Sequence, residues 1–302
     1  MLLTIKLAVS LLFVWFVLRK INLVEVMEHL RGADTMQLFY AVATLTAGGF
    51  AGAAAWFAVL KSSHYTLSYQ RVAVMYWCGM FFNSFLPSNI GGDFYKGYLL
   101  VKGSGGGLTK AAITMLLDRL INLSVLVVIG ILSLCLTFSY YLLTAVVAAM
   151  YLGALLLLIF MAHRQIGVGG GRVAQFARAL LTFFKDGPCC AAVFAAALLS
   201  QGLKIGCHIF LIRALGLDLA LNSVWYVIPL FGVVSALPIS VGGIGLREYA
   251  ALGVAGGLTL LPEELVALSL ASHLLYVAVN ALGLLPFIST LIRHQGNNKD
   301  VA

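Results

Sequence analysis

Apolar residues fill stretches of spanning length, about 20 residues, at Leu2–Leu18, Gln37–Leu60, Met115–Phe138, Tyr141–Met161, Ala191–Ile212 and Leu265–Leu291. Two further stretches begin in the same way and stop short. Val72–Leu86 is fifteen residues long and meets Pro87; Ser223–Leu237 is fifteen and meets Pro238. Each break is followed by a glycine pair and a second short apolar piece. Runs this continuous predict helices, not the alternating short segments of a membrane β-barrel.

The two breaks are related. "LPSNIGGDFYKGY" at Leu86–Tyr98 returns 151 positions later as "LPISVGGIGLREY" at Leu237–Tyr249. Leu, Pro, both Gly and Tyr coincide, Ile90 aligns with Val241, and Lys96 aligns with Arg247. A paired interruption at corresponding positions of two halves points to a transporter binding site.

Loop charge decides whether each broken piece crosses or turns back. If both turn back and the N-terminus is cytoplasmic, eleven basic residues fall inside and four outside. The inner set is Lys6, Lys61, Arg71, Lys102, Lys110, Arg164, Arg172, Arg178, Lys185, Arg293 and Lys299. Arg19, Lys20, Arg31 and Arg213 fall outside among several acids. That bias obeys the positive-inside rule, and it collapses if the first break is a full crossing. The expected fold is therefore an all-α integral membrane protein with six full transmembrane helices and two re-entrant broken helices. Its halves, 1–140 and 141–302, form an inverted-topology repeat within one membrane domain, with both termini cytoplasmic. The hairpins then enter from opposite faces, as alternating access requires.

Composition agrees with a bilayer as solvent. Hydrophobic residues make up 62% of the chain and charged residues 10%, with a mean hydropathy of +1.01; soluble domains carry roughly 25% charge. The net charge of +8 reads as cytoplasmic loops facing anionic lipid rather than as a nucleic-acid surface. Cys78, Cys135, Cys189, Cys190 and Cys207 form no CxxC pair and read as buried thiols. The Leu7–Leu18 core is followed by Arg19-Lys20 and no small-residue cleavage site, which reads as a retained first helix. Ile21–Asp34 and Arg172–Lys185 interleave charge with apolar residues and suit amphipathic helices on the membrane surface. Gly103–Gly107 reads as a flexible link.

The broken helices carry the candidate chemistry. A hairpin that ends inside a bilayer leaves helix-end backbone groups without lipid partners. Pro stops the first arm, and Gly91-Gly92 and Gly242-Gly243 allow close backbone approach. The second arm opens with free N–H groups and the positive end of its dipole, a seat for phosphate or carboxylate. Lys96 and Arg247, about one turn further on, add full charges beside each seat. The competing reading is that Pro-Gly-Gly only makes the turn and the cations snorkel. Asp118-Arg119 either serve function at depth or form a structural pairing with Asp93 and Lys96. Lys204 lies mid-span with His208 one turn on, and a cation there must face the bundle interior or water. Glu248 follows Arg247 directly and reads as its neutralising partner. Asn83, Asn89, Asn122, Gln201, His273 and Asn280 read as interhelical hydrogen-bond residues. There is no Walker A, HExxH or GxSxG motif, so neither a catalytic set, a cofactor nor a metal is expected.

"FFNSFLPSNIGGDFYKGYLL" with the following "LLDRL", and "ALPISVGGIGLREYAAL", resemble the lysylphosphatidylglycerol synthase transmembrane (flippase-like) family over nearly the whole chain. In bifunctional members a cytosolic domain attaches an amino acid to phosphatidylglycerol and the membrane part moves the lipid outward. Stand-alone members are linked to hopanoid or polyprenol-linked glycolipids. The resemblance places the family's Asp-x-x-Arg on Asp93 and Lys96, with Lys replacing Arg and losing its bidentate geometry. It places the acidic-Arg pair on Asp118 and Arg119, and Gly-x-Gly-x-Arg-Glu on Gly243–Glu248 unchanged. No synthase domain follows the last apolar stretch, so aminoacyl transfer is not expected.

The implied function is a lipid flippase of the inner membrane that binds an anionic, phosphate-bearing headgroup between the hairpins. The alternative is a non-transporting accessory protein that serves a lipid-modifying enzyme. The expected headgroup-binding residues are Gly91, Gly92, Asp93, Lys96, Asp118, Arg119, Lys204, Gly242, Gly243, Arg247 and Glu248. The expected partner is an anionic phospholipid or lipid-linked phosphate, not nucleic acid.

Overall fold

The computed structural model describes residues 12, 15–17, 19, 22–85, 91–104, 107–138, 160, 171–236, 245–255 and 260–288. The described residues are helical and contain no strand. In chain order they form α1 (Leu23–Arg31), α2 (Thr35–Ser62), α3 (Tyr69–Phe85), α4 (Gly91–Ser104) and α5 (Leu108–Phe138). Then come α6 (Arg172–Lys185), α7 (Gly187–Ala214), α8 (Leu221–Ala236), α9 (Leu246–Ala255) and α10 (Pro262–Asn280). A 3₁₀ turn, Ala281–Gly283, follows α10. Among the described residues, four helices are long and apolar enough to cross a membrane: α2, α5, α7 and the stretch Pro262–Ile288. Phe39, Leu132, Leu199 and Leu285 stand exposed on the outer faces of these helices. Lipid makes that exposure favourable where water would not.

The order of elements in the second half repeats that in the first. Each half has a short amphipathic helix, an Asp-capped long helix, a broken pair and another long helix. Asp34 caps α2 by accepting from the N–H groups of Met36 (2.7 Å) and Gln37 (3.2 Å). Asp186 caps α7 by accepting from Cys189 N–H at 3.2 Å. Both α2 and α7 are 28 residues long.

α2 and α7 pack antiparallel along their whole length. At one end Asp34 N–H donates to the Ala214 carbonyl at 2.8 Å. In the middle Ser200 Oγ donates to the Gly48 carbonyl at 2.9 Å. At the other end Cys189 Sγ reaches the Ala58 carbonyl at 3.5 Å. Small residues permit this approach. A Cβ on Gly48 would touch Leu203 Cβ at 3.3 Å, and one on Gly49 would lie 2.6 Å from the Trp77 ring.

The antiparallel pair sets the direction of each broken helix. α3 and α4 form a hairpin, with Gly92 against Gly79 and Asn83. Leu60, Val72, Leu100 and Ala111 share one cluster, so α4 returns to the end where α3 began. α8 begins instead beyond the C-terminus of α7, and α10 starts at that same end: Asn22 N–H meets Glu263 Oε1 at 3.4 Å, while Glu25, Asp34, Arg213 and Gly216 line one cavity. The two hairpins thus open from opposite ends of the α2–α7 pair.

Several sequence boundaries shift. The expected crossings at 2–18 and 141–161 lie outside the described residues apart from 12, 15–17 and 160. The two breaks, 86–90 and 237–244, also lie outside the described residues, and Gly242 and Gly243 with them. Gly103 belongs to α4 rather than to a flexible link. α5 begins at Leu108, seven residues before the expected Met115, because "LTKAA" lengthens the helix while lowering its hydropathy. Asp118 therefore sits well inside the helix and is 7% exposed.

Candidate functional site

Two cation sites lie on the second arms of the hairpins. In the first, α4 opens at Gly91, and Gly92 N–H donates to Asn83 Oδ1 at 2.9 Å. A Cβ at Gly92 would lie 2.5 Å from that Asn83 side chain, so only glycine fits. One helix-end donor is thereby already satisfied from within the hairpin.

Lys96 lies one turn further on and is 5% exposed. Its Nζ lies 2.8 Å from Asp93 Oδ1 and 3.8 Å from Asp118 Oδ2. It also lies 5.1 Å from the Trp56 ring centroid and 5.2 Å from that of Tyr76. The other Asp93 oxygen accepts from Arg119 Nε. Asn122 Nδ2 donates to Asp118 Oδ1 at 2.9 Å, and Gln201 Nε2 donates to Asn122 Oδ1 at 3.2 Å. Five helices meet in this network: α2, α3, α4, α5 and α7.

The arrangement settles how Lys96 sits. It does not snorkel; it is fully paired between two carboxylates and two aromatic faces. Asp118-Arg119 take the structural pairing with Lys96 and Asp93. Removing one partner of such a buried pair leaves an uncompensated charge, at a cost of about 3–5 kcal/mol. Lys204 lies within electrostatic reach of both Asp118 and Lys96. It packs over Gly48, its Cγ 3.4 Å from where a Cβ there would stand. It has no ion pair among the described residues.

The second site is built differently. Gly245 adopts φ +81°, a left-handed conformation suited to glycine. Its N–H donates to Glu248 Oε2 at 2.7 Å, and Ser269 Oγ donates to Glu248 Oε1 at 2.8 Å. Glu248 therefore closes the start of α9 and holds α10, as an acidic residue at the third helical position does. It forms no ion pair with Arg247, contrary to the expectation from their adjacency. Consecutive residues on a helix point in different directions.

Arg247 is left with one face against Phe231, whose ring centroid lies 5.1 Å from its Cζ. Its buried Nε has no hydrogen-bond partner, and no carboxylate pairs with it among the described residues. His208, 1% exposed, lies within electrostatic reach of it. Positions 118 and 93 carry Asp, whereas the positions 151 residues later carry Ser269 and Ile244. Among the described residues the first cation is thus ion-paired with carboxylates and the second is not.

The structure brings Asp93, Lys96, Asp118 and Arg119 together, with Gly91 and Gly92 at the start of their helix. It places Lys204 between the two sites and Arg247 and Glu248 at the other end. Trp56, Tyr76 and Phe231, which cover the cations, carried no signal as ring partners in the apolar sequence.

The family model for the lysylphosphatidylglycerol synthase TM region matches residues 3–283. No curated protein matches the chain.

Proposed function

The chain belongs to the family of the lysylphosphatidylglycerol synthase TM region, and from that membership we propose a lipid transporter of the flippase type. It takes an anionic, phosphate-bearing headgroup between its two hairpins and catalyses no bond change. The observation that carries the reading is the placement of two cations, Lys96 and Arg247, on hairpins opening from opposite ends of one antiparallel helix pair. A headgroup admitted at one end meets a cation there, and one leaving at the other end meets the second. An inverted-topology repeat of 1–140 and 141–302 supplies such sites from a single plan.

Charge at the two ends supports an inner-membrane orientation. The end where α2 finishes collects Lys61, Arg71, Lys102, Lys110, Arg178 and Lys185 beside Asp186. The opposite end collects Glu25, Glu28, Asp34, Asp218, Glu263 and Glu264 beside Arg31 and Arg213. The positive-inside rule puts the first end in the cytoplasm.

Reconstitution tests the reading. Purified protein in liposomes moves labelled phosphatidylglycerol between leaflets faster than protein-free liposomes do. Arg247→Gln slows it by about tenfold, the equivalent of one charge-assisted hydrogen bond. Arg247 is the informative position because its removal strands no buried carboxylate. Equal rates for wild type, variant and empty liposomes would end the proposal.

A further inference from the structure

A cavity of about 360 Å³ opens at the end where α2 finishes, at the small end of the roughly 300–1,000 Å³ range of ligand sites. Three elements wall it. The turn that ends α2 brings Ser63 and His64, the first turn of α5 brings Lys110, and α6 brings Gln175, Ala179 and Thr182. The last three recur at i, i+4 and i+7, which is one helix face. The apolar face of α6 holds that wall in place: Leu180 and Phe183 cluster with Val59 of α2, Leu117 of α5 and Val193 of α7.

The lining is rich in donors. Among the described residues it holds no carboxylate. Asp186, which follows α6, is engaged in capping α7. Lys110 Nζ lies 4.4 Å from the ring centroid of Tyr65 and forms no ion pair among the described residues. The ring steadies one side of the ammonium and leaves its hydrogens for other acceptors. Ser63 and Thr182 add hydroxyls, Gln175 an amide and His64 a ring N–H.

The backbone at His64 is an independent sign. Its φ is +59°, and among the described residues every other residue with a positive φ is glycine. His64 N–H donates to the Lys61 carbonyl at 2.9 Å, and Tyr65 N–H donates to the Leu60 carbonyl at 3.0 Å. This turn closes many helices, and glycine is its usual occupant because a Cβ is disfavoured there. A turn that only ended α2 would be made more easily by glycine. Here an imidazole is kept on the cavity wall against the preference of the backbone, and strain of this kind gathers where side chains hold ligands.

An ammonium, hydroxyls and an imidazole lining one cavity without an acid suit an oxyanion. We propose that the cavity between α2, α5 and α6 is a phosphate-binding site, separate from the route between the hairpins. Neither Lys96 nor Arg247 lines it. Two sources share this chemistry: the headgroup of a phospholipid in the leaflet at that end, and free phosphate.

The test reads the cavity directly, on full-length protein in detergent with its five native cysteines replaced by alanine. Ala179→Cys puts a thiol in the wall at a residue whose side chain donates nothing. Maleimide labelling is followed against dihexanoyl phosphatidylglycerol, inorganic phosphate and the uncharged dihexanoylglycerol. The lipid or phosphate slows labelling saturably, and dihexanoylglycerol does not. Lys110→Gln raises the half-protecting concentration by about tenfold, one charge-assisted hydrogen bond. His64→Gly raises it by about threefold, one neutral hydrogen bond. It melts no lower than its parent, because glycine suits the turn. Arg247→Gln leaves protection unchanged. Calorimetry on the protein with its own cysteines repeats the Lys110→Gln and His64→Gly comparisons.

Protection by the lipid at lower concentration than phosphate assigns a headgroup, and the reverse assigns free phosphate. Protection by neither, or equal protection by dihexanoylglycerol, overturns the proposal. So does an affinity unmoved in Lys110→Gln or in His64→Gly. A loss in Arg247→Gln as large as that in Lys110→Gln puts the anion on the hairpin route and overturns it as well.

Discussion

Ser200 donates its hydroxyl to the carbonyl of Gly48 at 2.9 Å, and the two residues are 152 positions apart in a chain that repeats itself at nearly that spacing. Each stands at the same place in its own 28-residue helix. Contact between such counterparts is what an isologous interface produces at its axis. One turn further along α2, a Cβ on Gly52 would lie 3.2 Å from the same Ser200 hydroxyl.

That crossing depends on the absence of side chains. Gly49→Leu would drive its side chain into Trp77, and Gly48→Leu would separate α2 from α7 at Leu203 and Ser200. Overpacking of this kind costs about 1–3 kcal/mol. Thermal melts in detergent are expected to fall for both variants, whereas Gly202→Ala, which meets nothing within 4 Å, stays close to wild type.

Lys96 and Asp118 are coupled through the buried network. Lys96→Met alone leaves Asp93 and Asp118 facing each other without their shared cation, and stability falls by about 3–5 kcal/mol. Adding Asp118→Asn removes one of the stranded charges and recovers part of the loss. A double-mutant cycle followed by unfolding in a denaturing detergent reads the coupling. Strict additivity of the two changes would contradict the pairing.

Glu248 acts on structure through two acceptors. Glu248→Ala leaves Gly245 N–H and Ser269 Oγ without their partner, at about 1–3 kcal/mol. Ser269→Ala costs less, because it removes one donor and keeps the cap. If Glu248 instead neutralised Arg247, Glu248→Ala would be rescued by Arg247→Gln. The structure predicts no rescue, measured as the melting temperature of the double variant.

The ends of the hairpins can be mapped by labelling. In a cysteine-free background, Ser104→Cys ends α4 and Leu261→Cys precedes α10. A membrane-impermeant maleimide applied to oriented vesicles is expected to reach one and not the other. Equal reactivity from a single side would contradict hairpins that open from opposite ends.

Much of this architecture was legible in the sequence. Paired Pro-Gly-Gly breaks marked both hairpins, and charge interleaved with apolar residues marked α1 and α6. The sequence left a pairing of Asp118 with Lys96, 22 positions away on another helix, open beside a functional role, and folding brings the two side chains to 3.8 Å. Arg247 and Glu248 misled, because adjacency in a helix separates side chains. Asp118 lies further inside α5 than an apolar stretch starting at Met115 implies, because the helix begins at Leu108. The face of α2 that packs on α7 carries Gly48-x-x-x-Gly52, a readable close-packing pattern that the transmembrane assignment alone did not exploit.

Gly48 and Ser200 lie halfway along their helices, which makes the crossing a fulcrum. Each arm beyond it is about 21 Å long at 1.5 Å per residue. A tilt of one degree swings the two extremities in opposite senses by about 0.4 Å each. Ten degrees would move an extremity by about 4 Å, enough to break the Asp34–Ala214 hydrogen bond at one end or the Cys189–Ala58 contact at the other, so the two helices move as one beam.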